Sequence, residues 1–445
     1  MPKFAHALVK ANKFLAHHLP EAQVMKSLAD GTHAEILRAH LGDAYDDFAA
    51  AVKSLASKKP GKKGRRVFIL PGITGSLLGV PQGEQNHVKW LDPQEVAEGN
   101  LLKLAYSEKT LLGTSVGAIV PVYLPLKLRL QLAGHEVELL HYDWRLRVEE
   151  LGPKLAAQIK ADKSDKITLV CHSMGGLVAR AALKDSAASK KVEMVVQMGT
   201  PNLGAPCAPQ GVRGSYPPIL QVASLDLKHT VYDYGGLLNS LPGFFCLIPP
   251  KGSPFGLDVR DRSVWPKSGN QPNDNLLANV GFKQDGLVTP DSRFHLVAGG
   301  NLETVLSVKK RGDEFLYEYG YAGDGIVPWT SSAIPGIKDV WYADGVSHTN
   351  LCAEPSSVDA AAAILEGKSP SLPNSLKVKK TGITSSQTDA SLIKAFVPLA
   401  IEGDARHLFD AAYGLASNVE SKVEGTAHSL ESSLKKAGSF LKKFL

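Results

Sequence analysis

The sequence has few cysteines, no long apolar run and no large excess of one charge. Its four cysteines lie far apart without a C-x-x-C pair, which argues against a disulfide scaffold or a zinc site and favours a reducing compartment. No stretch reaches the roughly 18 uncharged apolar residues of a membrane span. Near the N-terminus, Lys10, Asn12 and Lys13 interrupt any apolar run of a Sec signal peptide. We therefore expect no metal, no Sec signal, no transmembrane helix, and a cytoplasmic or peripherally membrane-associated protein.

The composition is that of a folded, loop-rich protein. The 445 residues carry 50 basic and 44 acidic side chains, and the net charge of +6 is too small for a general nucleic-acid binder. The chain can bury a sizeable core, because 44% of it is hydrophobic, and its 41 glycines and 27 prolines show no short repeat. We expect no nucleic-acid partner.

Composition divides the chain into segments. Helical spacing of apolar residues predicts helices at both ends, Pro, Gly and Lys clusters predict linkers, and short apolar runs that end in glycine-rich turns predict a mostly parallel sheet covered by helices. The predicted segments are an N-terminal helical segment at 1–57, a basic linker at 58–66, an α/β domain at 67–366, a linker at 367–390, and a C-terminal amphipathic helical segment at 391–445.

The strongest functional pattern is CHSMGG at 171–176, which follows the strand-like ITLV and precedes a helical pattern. Small residues here allow a tight turn that projects the Ser173 hydroxyl and directs the next backbone N–H at an oxyanion. A helix N-cap at a strand end is the alternative interpretation. We favour a nucleophile because Asp324 and His348 follow in the order Ser, Asp, His expected of an α/β-hydrolase.

A nucleophilic serine needs an imidazole base and a carboxylate that orients it. Asp324 lies in a glycine-flanked turn, GDG, and His348 follows the apolar run VWYADG. His172 is expected to pack rather than act as the base, because adjacent side chains diverge. Three other aspartates compete with Asp324 for the carboxylate role: Asp285, Asp291 and Asp344.

The motif PGITGS at 71–76 follows the first core strand, where a glycine-rich loop can turn an N–H toward the serine. An ordinary strand-ending turn fits the motif equally well when it is taken alone. We predict the N–H groups of Met174 and Ile73 as oxyanion donors, with Thr74 as the neighbouring possibility. The residues predicted to bind substrate are Thr74, Trp90, Leu203 and Trp329.

Further motifs occur in a fixed order around these residues: PGITGS, WLD at 90–92, YDWR at 142–145, HSMGG at 172–176, GTPNLGAP at 199–206, GDGIVPWTS at 323–331, and SHTNL. With these motifs the chain resembles the lecithin:cholesterol acyltransferase-like branch of the α/β-hydrolases, which includes lysosomal phospholipase A2-type enzymes and bacterial lipases. The resemblance implies a triad of Ser173, Asp324 and His348, a mobile lid over a lipid pocket, and a structural salt bridge between Asp143 and Arg145.

Two features depart from that family pattern. Cys171 replaces the first glycine of G-x-S-x-G, which should not move the nucleophile. The disulfide-bearing lid of the secreted animal enzymes has no counterpart, since no cysteine precedes Cys171. The aromatic and proline-rich stretch at about 207–292 is predicted to form a lid or cap, and a second cover is expected at about 83–120, which holds Trp90.

These patterns predict an α/β-hydrolase that cleaves lipid carboxyl esters, as a lipase or phospholipase, through an acyl-enzyme and without a cofactor. Acyl transfer to an alcohol is the alternative, because the same triad supports it. A binding protein that keeps the fold without turnover is a further alternative.

The C-terminal segment has apolar residues at alternating spacings of four and three from Val419 to Phe444, with lysines beside them. The lysines are Lys435, Lys436, Lys442 and Lys443. A basic amphipathic helix of this kind can lie on an anionic membrane. Packing on the N-terminal helices or on a second copy of the chain explains the pattern equally well.

Overall fold

The computed structural model describes residues 19–57, 64–82, 85–107, 111–226, 228–279, 287–396 and 436. The strands in these residues are β1 (Arg66–Leu70), β2 (Ser76–Gln82), β3 (Gln85–Trp90), β4 (Thr114–Ala118), β5 (Glu136–Leu139), β6 (Ile167–His172), β7 (Val192–Met198), β8 (Phe294–Gly300), β9 (Thr304–Arg311), β10 (Glu314–Gly320), β11 (Asp339–Asp344) and β12 (Ser385–Thr388).

The α-helices in the described residues are α1 (Glu21–Asp30), α2 (Ala34–Leu41), α3 (Tyr45–Ser57), α4 (Pro93–Ala97), α5 (Val120–Leu132), α6 (Val148–Ala161), α7 (Met174–Ala182), α8 (Ser186–Lys191), α9 (Ala208–Arg213), α10 (Pro217–Ala223), α11 (Val231–Ser240), α12 (Pro242–Phe245), α13 (Asp274–Asn279), α14 (Trp329–Ser332), α15 (Pro355–Leu365) and α16 (Asp389–Phe396). Single 3₁₀ turns occur at Gly42–Ala44, Asn100–Leu104, Arg262–Val264 and His348–Asn350.

A six-stranded parallel sheet, in the order β11-β8-β7-β6-β1-β5, forms the centre of the protein. Its central strands are buried on both faces, which explains why they read as nearly continuous apolar runs. Side chains alternate across it: Phe68 and Leu70 join one apolar cluster, and Val67 and Ile69 join the other. The predicted α/β fold, with a mostly parallel sheet flanked by helices, is confirmed.

The candidate site residues lie at one edge of this sheet. Ser173 directly follows β6, Gly72 follows β1, and His348 follows β11. Because all these strands run in the same direction, their carboxyl ends meet at the same edge. In open parallel α/β sheets this is the edge where ligands bind.

The described part of the N-terminal segment belongs to the same core. Leu28 of α1 and Phe48 of α3 are fully buried in one apolar cluster with Leu126 of α5. Glu21 forms an ion pair with Lys127. The helices predicted at this end therefore add a layer to one face of the sheet.

The end of the predicted basic linker is also attached to the core. Arg66 is the first residue of β1, and its guanidinium lies 2.9 Å from the Asp162 carboxylate. Arg65 donates a hydrogen bond to the carbonyl oxygen of Leu365 at 2.7 Å. This end of the segment is ordered because its basic side chains have specific acceptors.

Two smaller antiparallel sheets flank the central sheet. In the first, β3-β2-β4, strands β3 and β4 lie within the predicted lid segment 83–120 and β2 precedes it. The second, β12-β10-β9, includes a hairpin that we did not predict. Strand β12 lies in the segment 367–390, which we expected to be a linker, and it pairs with β10. The segment departs from a linker here because the β10 edge offers backbone partners and because Asp389 is buried against Arg213, at 3.0 Å.

Arg145 and Asp143 form the buried salt bridge that the resemblance implies. The Arg145 guanidinium donates to both carboxylate oxygens of Asp143, at 2.9 and 2.7 Å, and neither side chain is exposed by more than a tenth. Arg145 also donates to the carbonyl oxygens of Leu112 and Gly113, at 3.0 and 3.2 Å. The pair therefore attaches the segment before β4 to the core.

We predict that Arg145→Met lowers the free energy of unfolding by about 3–5 kcal/mol, because Asp143 would stay buried without its counter-charge. Urea unfolding followed by circular dichroism measures this change. The matched control is Arg262→Met, which breaks an exposed pair with Asp274 and should shift the midpoint far less. Equal shifts in the two variants would contradict this account.

Among the described helices, none combines the length and apolar content needed to cross a bilayer. Most of the predicted C-terminal amphipathic helix lies outside the described residues, so its membrane contact stays a prediction. Of its four lysines, Lys436 is described, and its ammonium lies 3.3 Å from a carboxylate oxygen of Glu354 on the α/β domain.

Candidate active site

The turn between β6 and α7 holds Ser173 in an unusual backbone conformation. Its φ is 51° and its ψ is −125°, a region that residues with a side chain rarely occupy. The serine N–H donates to the carbonyl oxygen of Met198 at 2.9 Å, which fixes the turn. The Ser173 side chain is thereby presented above the carboxyl edge of the sheet, as a nucleophile elbow requires.

The structure brings the three predicted catalytic side chains together in one hydrogen-bonded chain. His348 Nε2 lies 2.8 Å from Ser173 Oγ, and His348 Nδ1 lies 2.8 Å from Asp324 Oδ2. All three residues are buried. The other carboxylate oxygen of Asp324 accepts the N–H groups of Ile326 and Val327, at 3.1 and 2.7 Å. These bonds fix the position of the carboxylate that orients the imidazole.

Gly199, in the motif GTPNLGAP, lies directly beside the hydrogen bond between His348 and Asp324. Its φ of 64° is left-handed, and a Cβ here would stand 3.0 Å from His348 Nδ1 and 3.1 Å from Asp324 Oδ2. A larger residue would therefore push apart the hydrogen bond that orients the imidazole. This close approach explains the glycine.

The competing aspartates do not occupy the carboxylate position. Asp291 pairs with Arg293 at 2.7 Å, and Asp344 accepts a hydrogen bond from Asn301 at 2.7 Å. Asp285 lies outside the described residues. The described residues also contain no group of three or more His, Cys, Asp or Glu side chains placed to hold a metal ion.

The loop after β1 also approaches Ser173 closely, at Gly72. Thr74 adopts a left-handed conformation with φ of 61°, and its carbonyl oxygen accepts the indole N–H of Trp90 at 2.9 Å. The backbone N–H of Ile73 has no hydrogen-bond partner among the described residues. Met174 is the first residue of α7, so its N–H has no acceptor within the helix. The N–H groups of both residues thus lack an acceptor in their own loop or helix, and their role as oxyanion donors stays a prediction.

We expected His172 only to pack against its neighbours, and the structure shows that its ring also forms hydrogen bonds. Its ring is buried, and both of its nitrogens have hydrogen-bond partners: the Tyr123 hydroxyl at 3.0 Å and the carbonyl oxygen of His348 at 2.9 Å. Burial, with His348 nearby, lowers the pKa of His172 to about 3. The ring is therefore neutral, and because both of its nitrogens have other partners while Ser173 Oγ is bonded to His348, His172 is not placed to act as the base.

A mostly apolar cavity opens next to Ser173. Thr74 and Trp90 line it, as predicted, and the space amounts to about 950 Å³ including its mouth to solvent. The rest of its wall comes largely from helices α10 to α12 and the residues around them: Tyr216, Ile219, Val222, Leu238, Phe244 and Leu247. Both predicted lid segments thus contribute to one cavity.

The other two predicted substrate residues do not line this cavity. Trp329 instead donates its indole N–H to the carbonyl oxygen of Gly299 at 2.8 Å and packs edge-on against Tyr342. Leu203 lies in a loop fixed by a hydrogen bond from its N–H to Ser331 Oγ at 3.1 Å. Both residues belong to family-like motifs, and those motifs do reach the cavity, but through Pro201 and Ala205 and through Ile326 and Val327 instead.

Comparison with known proteins gives a partial match. A family model described as the PGAP1-like alpha/beta domain matches residues 147–216, which contain the elbow but make up less than a fifth of the chain. No curated protein matches the sequence. The match is compatible with an α/β-hydrolase type of domain, and the narrower resemblance to the acyltransferase-like branch stays a prediction.

Solved structures match this chain at low similarity. The mature lipase BlEst2 of Bacillus licheniformis is 15% identical, with 69% of this chain and 94% of that chain covered and a TM-score of 0.35. Its propeptide form is 14% identical, with 72% and 54% covered and a TM-score of 0.37. A chain of the Tle4–Tli4 complex is 14% identical, with 68% and 97% covered and a TM-score of 0.36. Identities and TM-scores this low do not indicate a shared function.

Proposed function

We propose that this protein is a serine hydrolase that cleaves lipid carboxyl esters. The observation that carries the proposal is the hydrogen-bonded chain from Ser173 through His348 to Asp324, which opens onto an apolar cavity. An imidazole that accepts a serine proton while a carboxylate fixes its other nitrogen is the arrangement that activates a serine hydroxyl for acyl transfer.

The reaction follows from these positions. Ser173 Oγ attacks the ester carbonyl carbon while His348 Nε2 takes the serine proton, and the N–H groups of Met174 and Ile73 stabilise the oxyanion. His348 returns the proton to the leaving alcohol, and an acyl-enzyme ester remains. Water then attacks this ester with His348 as the base, so that the carboxylic acid leaves and Ser173 recovers its proton.

The lining of the cavity supports an acyl chain as the group bound beside Ser173. Its wall near Ser173 is built from aliphatic and aromatic side chains, including Ile219 of α10, Leu238 of α11 and Phe244 of α12. Burying each methylene of an acyl chain against such a wall contributes about 0.8 kcal/mol, so longer chains should bind more tightly until the cavity is full. The lining favours an acyl chain over a charged group at this position.

A panel of p-nitrophenyl esters tests this substrate class. We expect kcat/KM to rise from the acetyl to medium-length acyl groups, and activity to rise when the ester forms micelles. A fluorophosphonate probe should label Ser173 under the same conditions. Preference for the acetyl ester without any gain on micelles would instead indicate a soluble esterase. An ethyl ester product after adding ethanol would indicate the transfer reaction.

Filling the cavity should shift this preference. We predict that Ile219→Trp lowers kcat/KM for a dodecanoyl ester by about 10- to 100-fold and leaves the acetyl ester nearly unchanged, because the indole occupies the space of the distal methylenes. The control is Tyr232→Trp, at a half-exposed position on neighbouring α11. An equal loss on both esters in Ile219→Trp would place the acyl chain elsewhere.

A further inference from the structure

Two buried side chains, Tyr123 and His172, connect the loops that carry the proposed catalytic groups. The backbone N–H of Gly72 lies 3.0 Å from the Tyr123 hydroxyl oxygen, which lies 3.0 Å from His172 Nδ1. His172 Nε2 lies 2.9 Å from the carbonyl oxygen of His348. One chain of hydrogen bonds thus runs from the loop after β1, through Tyr123 and His172, to the loop after β11. His172 is the residue that directly precedes Ser173.

The direction of every bond in this chain is determined. The carbonyl of His348 can only accept, so His172 Nε2 must donate to it. In a neutral imidazole the other nitrogen then accepts, and Tyr123 must be the donor to His172 Nδ1. The Tyr123 oxygen in turn accepts the N–H of Gly72. No member of the chain can reverse without losing a bond, so the chain holds one arrangement of the two loops.

The surroundings keep this chain intact. Tyr123 is 1% exposed and His172 is 6% exposed, so water does not compete for their polar atoms. The two rings meet edge-on with centroids 5.8 Å apart, and the His172 and His348 rings lie 5.0 Å apart. Breaking one bond would leave a buried polar group without a partner.

We infer that Tyr123 and His172 are positioning residues, which set the oxyanion loop and the His348 loop in register around Ser173. The inference rests on the proposed function. Gly72 directly precedes Ile73, the proposed oxyanion donor, and the His348 carbonyl belongs to the residue whose Nε2 takes the serine proton. The chain therefore fixes the donor and the base relative to each other, and a misplacement of about 1 Å in such a group can cost about a hundredfold in rate.

Tyr123→Phe and His172→Leu test the inference. Each should lower kcat for a short-chain ester, and the rate of fluorophosphonate labelling at Ser173, by about 10- to 100-fold. KM should change little in Tyr123→Phe, because Tyr123 is not among the residues that line the apolar cavity, whereas His172 borders it next to Ser173. The double variant should lose no more than His172→Leu alone, since the two residues act through one chain.

Two further variants separate positioning from packing. His172→Gln can donate its amide N–H to the His348 carbonyl and accept from Tyr123, so it should recover most of the labelling rate, and it keeps the inference testable if His172→Leu does not fold. Tyr317→Phe removes another buried tyrosine hydroxyl bond, to Asp389 at 2.9 Å, and should leave kcat unchanged.

The two proposals can fail separately. If the wild-type protein is not labelled at Ser173, the proposed function is wrong. If Ser173 is labelled in the wild type and folded Tyr123→Phe is labelled at the same rate, the function stands and the positioning role is wrong. An equal decrease in kcat for Tyr317→Phe would also overturn it, because any loss of a buried hydroxyl would then suffice.

Discussion

Ser173→Ala is expected to reduce kcat for acyl esters by about a millionfold, because no other group can form the acyl-enzyme. The serine is held in a strained turn with its hydroxyl 2.8 Å from the imidazole, and the alanine variant keeps that turn without the nucleophile. Ester hydrolysis followed by product chromatography measures the change. Ser263→Ala, on an exposed part of the surface, is the serine control and should keep full activity.

Substitutions of the two partners of Ser173 should lower kcat by different amounts, with the larger loss at His348. His348→Ala should cost nearly as much as loss of the serine, since the groups act as a unit. Asp324→Asn should cost about ten-thousand-fold, because an amide cannot both fix the Nδ1–H tautomer and stabilise the imidazolium. Combining Ser173→Ala with His348→Ala should add little further loss.

Fluorophosphonate labelling tests whether Ser173 is the nucleophile. The fluorophosphonate adduct should map to Ser173 in the wild type and disappear in Ser173→Ala. The adjacent Cys171 is no competitor, because its thiol is fully buried and burial raises its pKa far above the usual range. Substantial activity in Ser173→Ala, or a label on Cys171, would require a different nucleophile.

The parts of the site that the sequence predicts are those built from local patterns. The elbow needs small residues next to Ser173 between a strand and a helix. The six consecutive residues 171–176 show this pattern in the sequence. Asp324 stands in a glycine-flanked turn for a comparable reason: its carboxylate accepts N–H groups two and three residues further on. The parallel sheet is predictable because buried strands are continuous apolar runs.

The parts that the sequence does not predict depend on contacts between distant residues. Tyr123 lies in a helix whose residues are mostly apolar, so it reads as a core residue, and its partners at Gly72 and His172 are close only after folding. Leu203 and Trp329 show the opposite error, since their motifs suggested substrate contact and the structure places them in supporting loops. Cavity walls are likewise assembled from helices whose apolar faces look like ordinary core.

The prediction of a linker at 367–390 missed strand β12 for a different physical reason. Its four residues, SSQT, have no apolar alternation because the strand pairs at the edge of a small sheet rather than in a core. Its partner is the β9–β10 hairpin, which turns at Gly312 with a φ of 62°. A polar edge strand is specified by backbone hydrogen bonds that composition does not reveal.

Gly72→Ala should lower kcat by about 100- to 1000-fold, the cost of losing one oxyanion donor. A Cβ on Gly72 would stand 2.8 Å from the Ser173 Cβ and 3.2 Å from His172 Nδ1, closer than such atoms normally approach. The backbone of Gly72 is not left-handed, so the substitution adds no conformational strain of its own. The loop must therefore shift away from the serine, and it takes the Ile73 N–H with it.

Gly236→Ala is the matched control for this variant. Gly236 lies within α11, where a Cβ meets nothing within 4 Å, and alanine there should raise helix stability by about 0.5–1 kcal/mol without changing kcat. Thermal unfolding and single-turnover kinetics on both variants distinguish a local displacement from general destabilisation. Full activity in folded Gly72→Ala would contradict this account, because either the loop accepts the Cβ without moving the Ile73 N–H or donors other than Ile73 stabilise the oxyanion.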